Sequence, residues 1–401
     1  MVFTKEELNL ENGLKREWII SNGIGGYASS TIIGINTRKY HGLLIAPIEP
    51  PAGRQLVLSK IDEMVEIDGE QHILYSNMNK DYISKGYKYL ENFQKEYMPI
   101  FIYKVGDVEI EKTICLEYKK NTVAINYKIK NKNHDTKLTL APLLNFRNYH
   151  YTMTNHDFKI NQSYKNEKLE VILDDNILNK IYMKVTDAKY IKHENNSYKN
   201  MFYLEEESRG FVSEENHAIP GIFEIKVEPN QEKEISVICS LEENIDEITA
   251  KKIIQKETKR LDKLVKDSLL IENKKVKEKE EDFKKQMIIA SDNFITYRPS
   301  FKTHTILAGY PWFLDWSRDT LISFEGLLLI TKRFKIAKEV LLTCVKDIKC
   351  GLIPNGYSDY DNTPLYNSAD ASLLLFEQVQ KYIEYTDDFK FIKDKIYKKL
   401  K

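Results

Sequence analysis

The stretch Gly309-Tyr310-Pro311-Trp312-Phe313-Leu314-Asp315-Trp316-Ser317-Arg318-Asp319 gathers rigid aromatics, one guanidinium and two carboxylates into a single turn of chain. Aromatic faces stack on the apolar side of a pyranose ring, and Arg and Asp can each hold adjacent hydroxyls through charge-assisted hydrogen bonds. The candidate contacts are Trp312, Asp315, Trp316, Arg318 and Asp319, and the chemistry they suggest is a floor for a neutral sugar. A plainer use competes, because Asp319 stands where an N-cap would open a helix over 320–329. A cap alone does not call for Trp312, Trp316, Asp315 and Arg318 beside it, which favours the ligand site. Pro311 stiffens the loop, and Gly309 permits a tight backbone there.

A second block follows. Gly351-Leu352-Ile353-Pro354-Asn355 stops one helix, and Asp359, Asp361, Tyr366, Asn367 and Asp370 lead into the next. Asp370 falls in the first helical turn, where interaction with the helix dipole is its ordinary role. Asp359 and Asp361 have the spacing of a calcium loop, but Pro364 occupies the place where that loop needs Gly, so no metal is expected. Near the amino terminus lie Asn22-Gly23-Ile24-Gly25-Gly26-Tyr27 and Arg38-Lys39-Tyr40-His41-Gly42. The glycine spacing does not fit a dinucleotide fingerprint and suits tight turns instead. For Arg38, His41 and His150 a structural hydrogen-bonding role is preferred over ligand contact.

These residues need scaffolds, and two periods of hydrophobicity supply them. From about 17 to 240 the chain alternates in short Val-, Ile-, Tyr- and Thr-rich runs, such as Thr122 to Ile129, Lys137 to Leu144 and Glu234 to Ser240. That pattern predicts a large antiparallel sandwich, with exposed hairpins and loops over about 175–200. After Leu241 the period becomes helical. A Lys- and Glu-rich linker occupies about 246–285; Phe283, Met287, Ala290 and Phe294 predict an amphipathic helix; further helices are expected near 320–332, 335–349, 367–385 and 388–400. The expected domains are 1–243, a charged linker over 244–281, and 282–401.

Sixty basic residues balance sixty acidic ones, so no global field favours nucleic acid or an anionic membrane surface, and a neutral polar ligand fits this balance. There is no signal-like amino terminus and no apolar run of bilayer length, which sets the expectation of a cytoplasmic protein. Cys115, Cys239, Cys344 and Cys350 have neither metal-site nor disulfide-framework spacing, and reduced thiols are expected.

At the level of motifs, the chain resembles the bacterial and archaeal type of glycogen debranching enzyme, the amylo-α-1,6-glucosidase family. The resemblance rests on Asn22 to Tyr27, Arg38 to Leu44, Gly309 to Phe313, Trp316 to Thr320, Gly351 to Asn355 and Tyr366 to Leu373. Lys39, Ser317 and Leu374 depart from the family's usual Arg, Gly and aromatic. The resemblance implies a β-then-α chain: an amino-terminal antiparallel β-sandwich, then the first helices of an (α/α)6 toroid. It further implies inverting hydrolysis of α-1,6 branch stubs with release of glucose, on glycogen or a branched malto-oligosaccharide, without a cofactor or metal. Arg318, Asp319 and Trp316, with Asn367 and Asp370 nearby, would grip the terminal glucose. Arg38 and His41 would belong to an inter-domain or substrate loop. The general acid and base are expected beyond Lys401, supplied by further helices or by a second chain that completes the barrel. A non-catalytic glucan-binding or regulatory protein, and a glucoamylase- or trehalase-like hydrolase, are the alternatives.

Overall fold

The computed structural model describes residues 1–177, 179–268, 270, 278–358 and 363–401. It divides into two compact units. The first takes Met1–Ile20, Gly26–Ala46 and Arg54–Glu257; the second takes Ser21–Gly25, Pro47–Gly53 and Thr258–Lys401.

Unit 1 is the antiparallel sandwich. One sheet orders its strands Val2–Thr4, Leu90–Lys95, Pro99–Val105, Val108–Leu116, Thr122–Lys130, Glu232–Ser240, Ile181–Val185, Lys168–Leu173 and Ile160–Lys165. The other runs Lys189–Phe202, Glu214–Val227, Thr136–Asn148, Ala52–Ile67, Gly42–Glu49, Tyr27–Thr31 and Glu17–Ser21, with Glu70–Ile73 paired to Ala52–Ile67. Alternation explains why these segments become strands. Along Thr122–Lys130, Val123, Ile125, Tyr127 and Ile129 enter the main core with Phe93, Phe101, Leu138 and Leu140. On the opposite face, Ala124 and Ile238 are covered by Ile245, Ala250 and Ile253. Each fully buried large side chain contributes roughly 1.5–3 kcal/mol.

One expectation needs correcting here. The region near 175–200, expected to be exposed hairpins and loops, does carry hairpin strands, but Ile181–Val185 is buried within its sheet rather than exposed, and most of Lys189–Phe202 is a strand at the edge of the other sheet. The pairing of the edge strand shifts register between Lys192 and Asn196 and again between Tyr198 and Met201. Such bulges in a half-exposed edge strand erase the two-residue alternation that would have announced it.

Unit 2 opens with the helices Ala250–Asp267, which enters it from Thr258 onward, and Glu278–Asn293. A hairpin of Ile295–Arg298 and Thr303–Ile306 follows. The helices Ser317–Phe324, Phe334–Cys344 and Asp370–Thr386 come next, close to the expected places, and Phe389–Leu400 is helical in three short pieces. Leu321, Phe324, Leu328, Leu341, Leu375 and Tyr382 form their shared core. The amphipathic stripe on Glu278–Asn293 is a second correction. Phe283 and Met287 are 64% and 53% exposed, while Ile288 and Ile289 are the buried pair. Of the expected stripe, Phe294 is the residue that packs against the core of unit 2.

The two amino-terminal segments of unit 2 are held by backbone geometry. Tyr297 N donates to Gly23 O at 2.8 Å. Gly25 sits at φ +97°, and a Cβ there would stand 2.7 Å from Pro51. Only glycine accommodates both the conformation and the approach. Among the described residues, no helix is long and apolar enough to cross a membrane.

Candidate functional site

The aromatic-rich loop is a short excursion closed at its base. Ala308 N donates to Leu314 O at 2.8 Å and Phe313 N to Gly309 O at 2.9 Å. Leu307 and Leu314 turn inward and pack with Ala52 and Tyr310. Trp312 and Phe313 are left exposed at the tip. The peptide bond Tyr310-Pro311 is cis.

Asp315 lies beneath this loop. Its two carboxylate oxygens accept from Nη1 of Arg298 at 2.6 and 2.7 Å, and the residues are only 6% and 1% exposed. The guanidinium lies over the rings of Phe301 and Tyr357, 4.6 and 5.2 Å from their centroids. Asp315 was expected among the direct sugar contacts; the structure places it in this buried pair.

The helix Ser317–Phe324 begins directly after Trp316. Asp319 does not cap it: the cap position is Trp316, which makes no side-chain capping bond, and Asp319 is exposed in the first turn. A helix start leaves backbone N–H groups without intrahelical partners. Here a neighbouring strap meets one of them, since Ser317 N donates to Asn355 O at 2.7 Å, while Ser317 Oγ donates to Pro354 O at 2.6 Å.

Arg318 reaches from this helix to the next. Its Nε lies 2.6 Å from Oδ2 of Asp370, the first residue of Asp370–Thr386, and both side chains are about half exposed. Oδ1 of Asp370 accepts from Ala371 N at 2.9 Å and from the Ser368 hydroxyl. The Ser368 hydroxyl first, and Arg318 second, hold the Asp370 carboxyl below its ordinary pKa. Asn367, exposed, accepts on Oδ1 from Asn355 Nδ2 at 3.1 Å. Two contacting pairs result, Arg318–Asp370 and Asn355–Asn367, tied through the backbone bond from Ser317 N to Asn355 O, with Trp316 and Asp319 near Arg318 in the chain. Trp312 stands at the tip of the loop. Asp359 and Asp361 lie outside the described residues.

Two contributors escaped the sequence reading. Arg298 carries no motif of its own; the one clue was the need of a buried Asp315 for a cation. Asn355 stood in a recognised block without a role, and Pro354 before it was the only sign of a fixed strap.

In unit 1, Arg38 and His41 form a separate cluster. Arg38 Nε donates to Glu17 Oε1 at 2.7 Å, and Nη2 lies 3.4 Å from Glu205. His41 is buried; Nδ1 accepts from Thr37 N at 3.1 Å, which turns Nε2 toward Glu17 at 3.5 Å. Burial pushes the Glu17 carboxyl up, but hydrogen bonds and charge from His41 and then Arg38 outweigh it and hold the pKa at about 2. His150 packs against Tyr149 and Tyr40, and burial with the charges of Lys39 and Arg54 lowers its pKa. Among the described residues, no group of three or more His, Cys, Asp or Glu side chains could hold a metal ion.

The architecture, an antiparallel sandwich followed by helices, has a counterpart among solved structures. A bacterial glucoamylase solved in complex with acarbose superposes with a TM-score of 0.52 at 13% identity, covering 100% of this chain and 57% of that one. At this identity the likeness concerns the fold. The profile described as glycogen debranching enzyme N terminal matches residues 16–234, and that described as amylo-alpha-1,6-glucosidase matches 289–401. The chain belongs to the glycogen debranching enzyme family. A glycogen debranching enzyme of Saccharomyces cerevisiae is 38% identical over 95 residues, 22% of this chain and 6% of the yeast protein. The chain thus corresponds to only part of the length of these relatives.

Proposed function

We propose that this chain supplies the glucose-gripping part of a glycoside hydrolase that removes α-1,6-linked branch stubs from glycogen or a branched malto-oligosaccharide, releasing glucose with inversion. The observation that carries the reading is the Arg318–Asp370 pair. It joins the starts of two helices, is open to solvent, and stands next to Trp316 and Asp319 in a unit built on the buried Arg298–Asp315 pair. In this reading Trp316 walls one face of the terminal glucose and Trp312 borders it. Arg318 donates to its hydroxyls, while Asp319 accepts from them and Asn367 lies within the same shell. Asp315 acts from below by fixing the loop.

Inversion requires a general acid with a raised pKa and a general base, their carboxyls about 6.5–9.5 Å apart. Asp370 is unsuited to be the acid, because Ser368 and Arg318 favour its ionised form. Asp315 is unsuited because Arg298 engages both its oxygens. We assign proton transfer to carboxyls other than Asp315, Asp319 and Asp370.

Calorimetric titration with panose, whose terminal glucose is α-1,6-linked, tests the reading. The unaltered chain should bind saturably. Arg318→Ala should weaken binding on the order of 10- to 100-fold, the effect of losing charge-assisted hydrogen bonds, without a change in melting temperature. Equal affinity of the variant, or no binding by the unaltered chain, would count against it.

A further inference from the structure

We infer that Asn355 is a positioning residue for the glucose site, which sets the orientation of the Asn367 amide and ties it to the start of the Arg318 helix. The inference rests on the proposed role of Arg318 and Asn367 in holding glucose.

Asn355 is 8% exposed and bonds to two separate segments, one at Ser317 and one over 365–367. Its backbone N–H donates to Leu365 O at 2.7 Å, and its backbone carbonyl accepts from Ser317 N at 2.7 Å. Its side-chain Nδ2 donates to Asn367 Oδ1 at 3.1 Å. Adjacent residues extend the strap: Pro354 O accepts from Ser317 Oγ, Ile353 N donates to Ser372 Oγ at 3.0 Å, and Gly356 bridges Trp316. The strap Ile353–Gly356 therefore laces the starts of both helices that Arg318 and Asp370 join at the surface.

The division of labour within Asn355 is chemical. Its two backbone bonds survive most substitutions, and the side chain alone reaches Asn367. Because Asn367 accepts on Oδ1, the group it offers to solvent is its NH2, a donor suited to a sugar oxygen. Reversing the Asn367 amide would present a carbonyl instead. Asn355 Oδ1 is buried and has no hydrogen-bond partner among the described residues, so the Nδ2 contact is the side chain's link to the site.

A double-mutant cycle read by panose titration tests this. Asn367→Ala and Asn355→Ala are each expected to weaken affinity about 5- to 10-fold, the scale of one net hydrogen bond. The double variant should be no weaker than Asn367→Ala alone. Asn355→Asp keeps the size and the backbone bonds but replaces the donor with an acceptor. It is expected to weaken binding at least as much as Asn355→Ala, and it serves the test if Asn355→Ala melts early. Effects of Asn355→Ala and Asn367→Ala that multiply in the double variant, or wild-type affinity in Asn355→Asp, would overturn the positioning role while leaving the glucose site standing. Unchanged affinity in Arg318→Ala, or absence of binding by the unaltered chain, would remove the glucose site itself and this role with it.

Discussion

Asp315→Ala is expected to destabilise unit 2 by about 3–5 kcal/mol, the usual cost of removing one partner from a buried ion pair. The Arg298 guanidinium would lose both of its bonds to the Asp315 carboxylate. At 1% exposure it has no direct route to solvent. The faces of Phe301 and Tyr357 recover part of the loss, but cation–π contacts are worth less than two hydrogen bonds to a carboxylate. Asp315→Asn retains one acceptor and should lose less. Urea denaturation, with the melt followed by far-ultraviolet dichroism, measures both variants. The loop Gly309–Trp316 would lose its anchor, so panose affinity should fall in Asp315→Ala although Asp315 is not expected to touch the sugar. A loss below about 1 kcal/mol would mean that the pair is not an anchor. The contrast with Arg318→Ala is diagnostic: one variant should act on stability and binding together, the other on binding alone.

Glu215→Ala is expected to have a similar effect in the sandwich, again about 3–5 kcal/mol. Glu215 is fully buried and accepts from Arg147 Nε and Nη2 at 2.5 and 2.8 Å, Tyr203 Oη at 2.5 Å and Met153 N at 3.0 Å. Burial pushes its carboxyl up, yet the charges of Arg147 and His217 and the bonds from Arg147 and Tyr203 outweigh it and leave the pKa below the ordinary value. Burial likewise drives His217 down to about 4, so near neutral pH Arg147 is the cation that answers Glu215. Arg147 Nη2 also donates to Lys39 O at 2.7 Å. Removing Glu215 strands that guanidinium and loosens the Arg38–His41 segment from the sheet. Glu215→Gln should be milder, since it still accepts from Tyr203 or Arg147. Urea melts of unit-1 variants test this, and a wild-type midpoint for Glu215→Ala would contradict it.

The sandwich was legible because strands buried on one face must alternate, as Tyr127 to Lys130 do. The helices of unit 2 were legible for the same reason at a different period, although their facing was not. Phe283 and Met287 have the right spacing for a core stripe and still face solvent, because periodicity shows that a face is apolar and not what covers it. The candidate site residues stood out as a run of aromatics and charges within one stretch. Arg298 was not, because its partner is 17 positions away across a hairpin that no alternation announced. Nor was the membership of Ser21–Gly25 and Pro47–Gly53 in unit 2. Positive φ at Gly23 and Gly25 accounts for the glycines locally, but their neighbours are set by tertiary packing.

The most direct measurement is a crystal structure of the chain soaked with panose. The α-1,6-linked terminal glucose is expected against Trp316, with its hydroxyls within hydrogen-bonding distance of Arg318 and Asp319, the Asn367 NH2 toward the sugar, and Asp315 still paired with Arg298. Glucose bound elsewhere, with Arg318 and Asp319 left in solvent, would contradict it.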